Sequence, residues 1–173
     1  MIAVIQRVSH ASVTIDGSLF SEIGKGLLIL VGVRKGDTEA DAVYLASKCT
    51  GLRIFEDEAG KMNLSAAAVG GSLLVVTNFT LCGSCSHGKR PSFDEAERPE
   101  LAKPLTERFV AECEKSGLPV RHGVFGADMK VELLNDGPIT LIIDSAERWS
   151  PACFPTKSFE NWAHDWLPSS ALG

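Results

Sequence analysis

Gly26-Leu27-Leu28-Ile29-Leu30-Val31-Gly32-Val33 is apolar on both faces of an extended chain, the pattern of a strand covered from two sides. A second run of the same kind, Leu73-Leu74-Val75-Val76-Thr77-Asn78-Phe79-Thr80-Leu81, reads as another central strand. Between them lies a helical pattern. Gly36-Asp37-Thr38 opens it, with Asp37 or Thr38 as N-cap and Glu39 and Asp41 in the first turn. Ala42, Leu45, Ala46 and Cys49 recur at helical spacing and are expected to face the sheet, with Gly51 ending the helix. Strand, helix, strand in this order points to an α/β domain.

The flanks add strands. Ile2 to Val8 is rich in β-branched residues, and Ala11 to Ile15 alternates and closes at Asp16-Gly17, a hairpin signal whose partner is Leu19 to Ile23. Leu52 to Phe55 is a short strand before the turn Asp57-Glu58-Ala59-Gly60. A second helix is expected over 99–116, stopped by Gly117. Its Pro104 suits a helix start better than an interior and moves the expected N-terminus toward Lys103. Strands follow at Val120 to Val124, Lys130 to Leu134 and Ile139 to Asp144, the last two joined by an Asn135-Asp136-Gly137-Pro138 turn. From Ser145 the pattern breaks, and prolines alternate with Trp149, Trp162 and Trp166. This tail either packs as a short helix over 158–166 or hangs free. The expected architecture is a compact, strand-rich single domain over 1–145 with two main helices, and a C-terminal extension over 146–173.

The chain has 173 residues, of which 17 are Lys or Arg and 22 are Asp or Glu, a net charge of −5. That argues against a module gripping a long phosphate track, which needs a basic face, but leaves room for a few phosphates at one end of an RNA. No apolar run approaches the roughly 20 residues of a membrane span. The five cysteines are irregularly spaced and no signal peptide is evident, so they read as reduced thiols in a soluble, cytoplasmic protein with no membrane partner.

The usual catalytic patterns are missing. No G-x-S-x-G elbow, P-loop, dinucleotide fingerprint or H-E-x-x-H occurs. His10 and His164 read as surface residues and His122 as half-buried within a strand. Cys82-Gly83-Ser84-Cys85 lacks the second ligand pair of a zinc site and sits in a Gly/Ser loop rather than at a helix start. Three segments remain chemically odd. Thr77-Asn78-Phe79-Thr80 places polar side chains at the end of an apolar strand. Gly123-Val124-Phe125-Gly126-Ala127-Asp128-Met129 brackets a bend with glycines, and Asn135-Asp136-Gly137-Pro138-Ile139-Thr140 sets a rigid Gly-Pro pair beside a strand. Together they suggest a site built from backbone groups and small polar side chains.

These segments resemble the D-aminoacyl-tRNA deacylase family, which pairs a Ser-Gln strand end, closed by a threonine, with an Asn-x-Gly-Pro-x-Thr turn. The second motif is intact at Asn135 to Thr140. Ile5-Gln6-Arg7-Val8, Met62-Asn63-Leu64-Ser65, Arg90-Pro91-Ser92-Phe93 and the Gly123 to Met129 segment match as well. The resemblance runs in order from residue 1 to about 145. It departs at Thr77-Asn78, where the carboxamide is one methylene shorter than glutamine.

The resemblance implies a carboxylic ester hydrolase that frees D-amino acids from the 3′-terminal adenosine of tRNA. It implies a homodimer in which a cis Gly137-Pro138 pair reaches into the other subunit's site, held by Arg7, with no metal and no cofactor. On this view Thr77, Asn78, Phe79 and Thr80 form the catalytic segment, with N–H groups around Phe79 and Thr80 as oxyanion donors. Gly137, Pro138, Met129, Ala127 and Arg7 would bind substrate, and Lys89 and Arg90 would meet tRNA phosphates. An activated ester beside a ribose hydroxyl needs positioning and preorganised donors more than a base. Three alternatives stand beside it. One is a non-catalytic aminoacyl-tRNA binding module, another a thiol-redox or metal protein using Cys82 and Cys85. The third is a sister deacylase removing small L-amino acids, against which Arg7 argues.

Overall fold

The computed structural model describes residues 1–148. The expectations for Trp149, Trp162, Trp166 and the helix over 158–166 fall outside the described residues.

Among the described residues, eight strands and two α-helices follow in the order β1 (Ile2–Ile15), β2 (Ser18–Ile23), β3 (Gly26–Gly32), α1 (Glu39–Gly51), β4 (Phe55–Glu56), β5 (Met62–Leu64), β6 (Ser72–Thr77), α2 (Pro99–Glu114), β7 (Val120–His122) and β8 (Met129–Asp144). β3, β6 and β7 run parallel, while β1 pairs antiparallel with β2, β3 and β8. β4 and β5 form a separate hairpin. One sheet face carries α1 and α2 over a core of Ala3, Ile5, Leu27, Ile29, Leu45 and Phe109. The other carries Val8, Val13, Leu28, Leu74 and Val76, edged by half-buried Leu30, Met129, Val131 and Leu133. No helix among the described residues is long and apolar enough to cross a membrane.

Several boundaries differ from the sequence expectation, each for a physical reason. β1 is one continuous strand rather than two, because β8 pairs along its whole length while β3 and then β2 share its other side. β6 stops at Thr77, and Phe79–Cys82 forms a 3-10 turn, because the Asn78 side chain accepts the Thr80 N–H and bends the chain out of the sheet. α2 starts at Pro99 and runs through Pro104, because buried Ala102 anchors the first turn and Pro104 lies on the exposed side. β7 ends at His122, which is exposed rather than half-buried.

The largest departure is Asn135 to Pro138. It does not turn a hairpin. Both halves of β8 pair with β1, Thr140 opposite Gln6 and Asn135 opposite Val8, so Arg7 alone faces residues 136–139. The segment is a bulge in one long strand, and Gly137-Pro138 within it is cis.

The end of β8 is fastened to the start of α1. Arg34 pairs with Asp144, and Arg148 with Asp41 at 2.6 Å. Burial disfavours the Asp144 carboxylate, but the Ala146 N–H and the Arg34 guanidinium outweigh it and hold its pKa below the usual value. At Asp41 burial is likewise outweighed, chiefly by the Thr38 hydroxyl and N–H. A carboxylate with a lowered folded-state pKa stabilises above its unfolded pKa of about 4 and loses that contribution as pH falls through the folded value. Urea midpoints are therefore expected to hold from neutrality to about pH 4.5 and fall below it, with a shallower acid fall in Asp144→Asn. An identical acid limb in that variant would remove Asp144 from the account.

Candidate active site

The concave sheet face opens as a cleft of about 1030 Å³, floored by Leu28, Leu30, Val76, Val131 and Leu133 and walled by Thr77, Asn78, Phe79 and Thr80. Met129 and Ala127 line the opposite wall with Phe125. Met129 reaches the cleft because residue 123 is glycine. A Cβ there would stand 2.4 Å from the Met129 sulfur.

The Thr77 to Thr80 segment is positioned from below and from within. Asn78 N–H bonds the Val31 carbonyl at 2.8 Å, tying the strand end to β3. The Asn78 carboxamide oxygen accepts the Thr80 N–H at 3.1 Å and also the Thr80 hydroxyl. Thr80 N–H is thus taken, which corrects the expectation that it and Phe79 N–H both serve an oxyanion. The Phe79 N–H has no acceptor among the described residues. The Thr80 hydroxyl donates to an amide oxygen, which is not a base, and no base among the described residues hydrogen-bonds it to activate it as a nucleophile.

The Gly137-Pro138 bulge is braced on three sides. Asn135 Nδ2 spans its base, donating to the carbonyls of Arg7 and Ile139 at 3.0 Å each, and the Thr140 hydroxyl donates to Asn135 Oδ1 at 3.3 Å. The Asn-x-Gly-Pro-x-Thr spacing is what lets one carboxamide close the loop. Arg7, only 6% exposed, donates from Nε to the Asp136 carbonyl at 3.2 Å and from Nη1 to the Ile54 carbonyl at 2.7 Å. Its guanidinium lies over the Phe55 ring. Arg7 therefore grips the residue before the Gly-Pro pair rather than the carbonyls of the pair itself. Gly137 and Pro138 are exposed and lie outside the lining of their own chain's cleft.

Lys89 and Arg90 are exposed in a loop whose base is closed by reciprocal Ser84–Ser92 backbone bonds of 2.7 and 2.9 Å. Phe93, just past that base, lines the cleft and meets Phe79 edge-on at 5.2 Å. The loop thus springs from the cleft lip. Cys82 is buried beneath the 3-10 turn, where burial pushes its thiol pKa up, whereas Cys85 is exposed. Both are free thiols.

Sequence reasoning assigned no role to Gln6, Phe93 or Phe125, all of which line the cleft. All three lie inside segments that match the family pattern, which is the signal that could have found them.

The family described as D-Tyr-tRNA(Tyr) deacylase matches residues 4–144, nearly the whole described chain. The chain belongs to this family. A D-aminoacyl-tRNA deacylase of Geobacter sulfurreducens is 57% identical over 150 residues, covering 87% of this chain and 99% of the relative. One from Thermomicrobium roseum is 57% identical over 147 residues, covering 85% and 96%. Among solved structures, a c-Myc DNA unwinding element binding protein is 36% identical at a TM-score of 0.78, covering 83% of this chain and 98% of that one. A probable eukaryotic D-amino acid tRNA deacylase, 14% identical at a TM-score of 0.71 over 82% and 97%, shares the fold. As a member of the deacylase family the chain is an enzyme, a hydrolase.

Proposed function

We propose that the chain hydrolyses the ester between a D-amino acid and the 3′-terminal adenosine of tRNA, working as a homodimer in the cytoplasm. The observation that carries the reading is the Gly137-Pro138 bulge: exposed, braced by Asn135 and Arg7, and not part of the lining of its own chain's cleft. It lies on β8, which has β1 on one side and no strand on the other among the described residues, with Leu134 and Ile142 exposed along it. A second copy docked here would bring its Gly-Pro carbonyls to the Phe79 cleft, where they accept the substrate's α-ammonium hydrogens. Lys89 and Arg90, on the loop at the cleft lip, meet phosphates of the acceptor end.

Water adds to the ester carbonyl carbon, and the carbonyl oxygen takes up negative charge facing the Phe79 N–H. The bond to the ribose 3′-oxygen then breaks as that oxygen is protonated, assisted by the neighbouring 2′-hydroxyl. Thr80 shapes the wall and forms no covalent intermediate.

With ammonium, ester and Cα all held, only the hydrogen and side chain can exchange places. A D-side chain points outward; an L-side chain strikes the Gly-Pro backbone. Glycine has nothing to clash. In a side-by-side assay, D-tyrosyl-tRNA and glycyl-tRNA are expected to be cleaved and L-tyrosyl-tRNA to resist by at least ~100-fold. Inert D-tyrosyl-tRNA would leave a binding module instead. Resistant glycyl-tRNA beside normal D-tyrosyl-tRNA cleavage would refute the steric filter.

A further inference from the structure

We infer that Asn78 is a positioning residue whose short carboxamide locks the 3-10 turn and leaves the Phe79 N–H as the donor for the oxyanion. This rests on the proposed deacylation and adds to it a role for the one motif position at which this chain carries asparagine in place of the family's glutamine.

The geometry is that of a helix N-cap. Asn78 has extended backbone angles (φ −146°, ψ 92°), and its side-chain oxygen takes the N–H of the second residue of the turn, Thr80, at 3.1 Å. Asparagine, aspartate and serine reach that N–H without strain; a longer side chain is not a favoured cap. The same oxygen takes the Thr80 hydroxyl, so both Thr80 donors converge on one atom. The Asn78 carbonyl accepts the Leu81 N–H at 3.3 Å. From below, the turn rests on Gly32, where a Cβ would lie 3.0 Å from the Asn78 carbonyl oxygen and 3.1 Å from the Cys82 sulfur. The first turn of a helix leaves donors without intrahelical partners. Asn78 satisfies the one at Thr80, and the one at Phe79, a residue of the cleft wall, has no acceptor among the described residues. A donor held in place before the reaction needs no reorganisation as charge develops, so fixing the turn acts on the transition state more than on substrate binding.

The test pairs Asn78→Ala, which deletes the cap, with Asn78→Ser, which restores a capping oxygen but carries no amide. Two readouts are taken on the full chain: kcat and KM for D-tyrosyl-tRNA, and hydrogen exchange at the Thr80 amide without substrate. Asn78→Ala is expected to lower kcat roughly 10- to 100-fold with KM changed less than about 2-fold, and to speed Thr80 exchange. Asn78→Ser is expected to keep kcat within about 3-fold of the parent and to keep Thr80 protected. Parental kcat in Asn78→Ala overturns the inference. So does Asn78→Ser as impaired as Asn78→Ala, which would mean that the amide itself touches substrate. A parent chain inert toward D-tyrosyl-tRNA defeats the proposed function, and the inference with it. The exchange readout then still tells whether the Asn78 tie exists, and fast Thr80 exchange in the parent would show that it does not.

Discussion

Gly137→Ala is expected to lower kcat/KM on D-aminoacyl-tRNA by at least ~100-fold, because misplacing a positioning group by about 1 Å can cost that much. Gly137 has φ of +119°, a region that side-chain-bearing residues rarely adopt. A Cβ there would stand 2.9 Å from the Ile139 side chain and 3.0 Å from Arg7 Nη2. Arg7 is buried and held by the Ile54 and Asp136 carbonyls, so it has little room to yield. The bulge must shift instead, carrying with it the carbonyls assigned to the substrate ammonium. Regular sheet pairing flanks the bulge on both sides, Ile2 to Gln6 with Asp144 to Thr140 and His10 to Ile15 with Leu134 to Met129, so the fold is expected to survive. Activity assays beside a thermal melt check this. Parental activity in a folded Gly137→Ala would remove the bulge from the substrate site.

A larger effect on stability is expected from Gly26→Ala. Gly26 begins β3 opposite Ser72, the first residue of β6. A Cβ at position 26 would lie 1.9 Å from the Ser72 carbonyl oxygen and 2.8 Å from two further Ser72 backbone atoms. No rotamer change relieves a clash with backbone, so the parallel pairing that centres the sheet must open. The cost should exceed ~4 kcal/mol, a large share of the roughly 5–15 kcal/mol that holds a domain together. For a domain of this size that lowers Tm by about 8–16 °C, or prevents soluble folding. Gly24→Ala is the control: nothing lies within 4 Å of a Cβ there, and a change within about 0.5 kcal/mol is expected. Equal melts for the two variants would contradict the close approach of β3 and β6.

Much of the architecture was legible because it depends on local periodicity. Residues 26–33 and 73–77 are apolar on both faces, and both became central parallel strands. The spacing of Ala42, Leu45, Ala46 and Cys49 identified the buried side of α1 residue by residue. Pro104 misled because propensity weighs a residue without its surroundings, whereas burial of Ala102 on the preceding turn outweighs one missing backbone bond. The Asn78 boundary was hidden for a similar reason. Nothing in an apolar run announces that the first polar side chain after it will fold back on a backbone N–H two residues ahead.

The candidate site was legible as motif and not as geometry. Thr77 to Thr80, Ala127, Met129, Arg7, Gly137 and Pro138 stood out by residue type and order, and that order reflects chemistry that a family shares. Which atoms meet was decided elsewhere. Arg7 reaches the Asp136 carbonyl because β1 and β8 pair at a register that leaves it alone opposite four residues. Phe93 meets Phe79 because a loop closes at Ser84 and Ser92. Such partners lie far apart along the chain, and no local pattern encodes the distance between them. By itself the amino-acid order determined the two-sided burial of the central strands and the buried side of α1, and it marked candidate site residues by type and order. Tertiary structure alone decided that Asn135 to Pro138 is a bulge rather than a turn, since that depends on both halves of β8 finding the same partner, β1, across more than a hundred residues of chain.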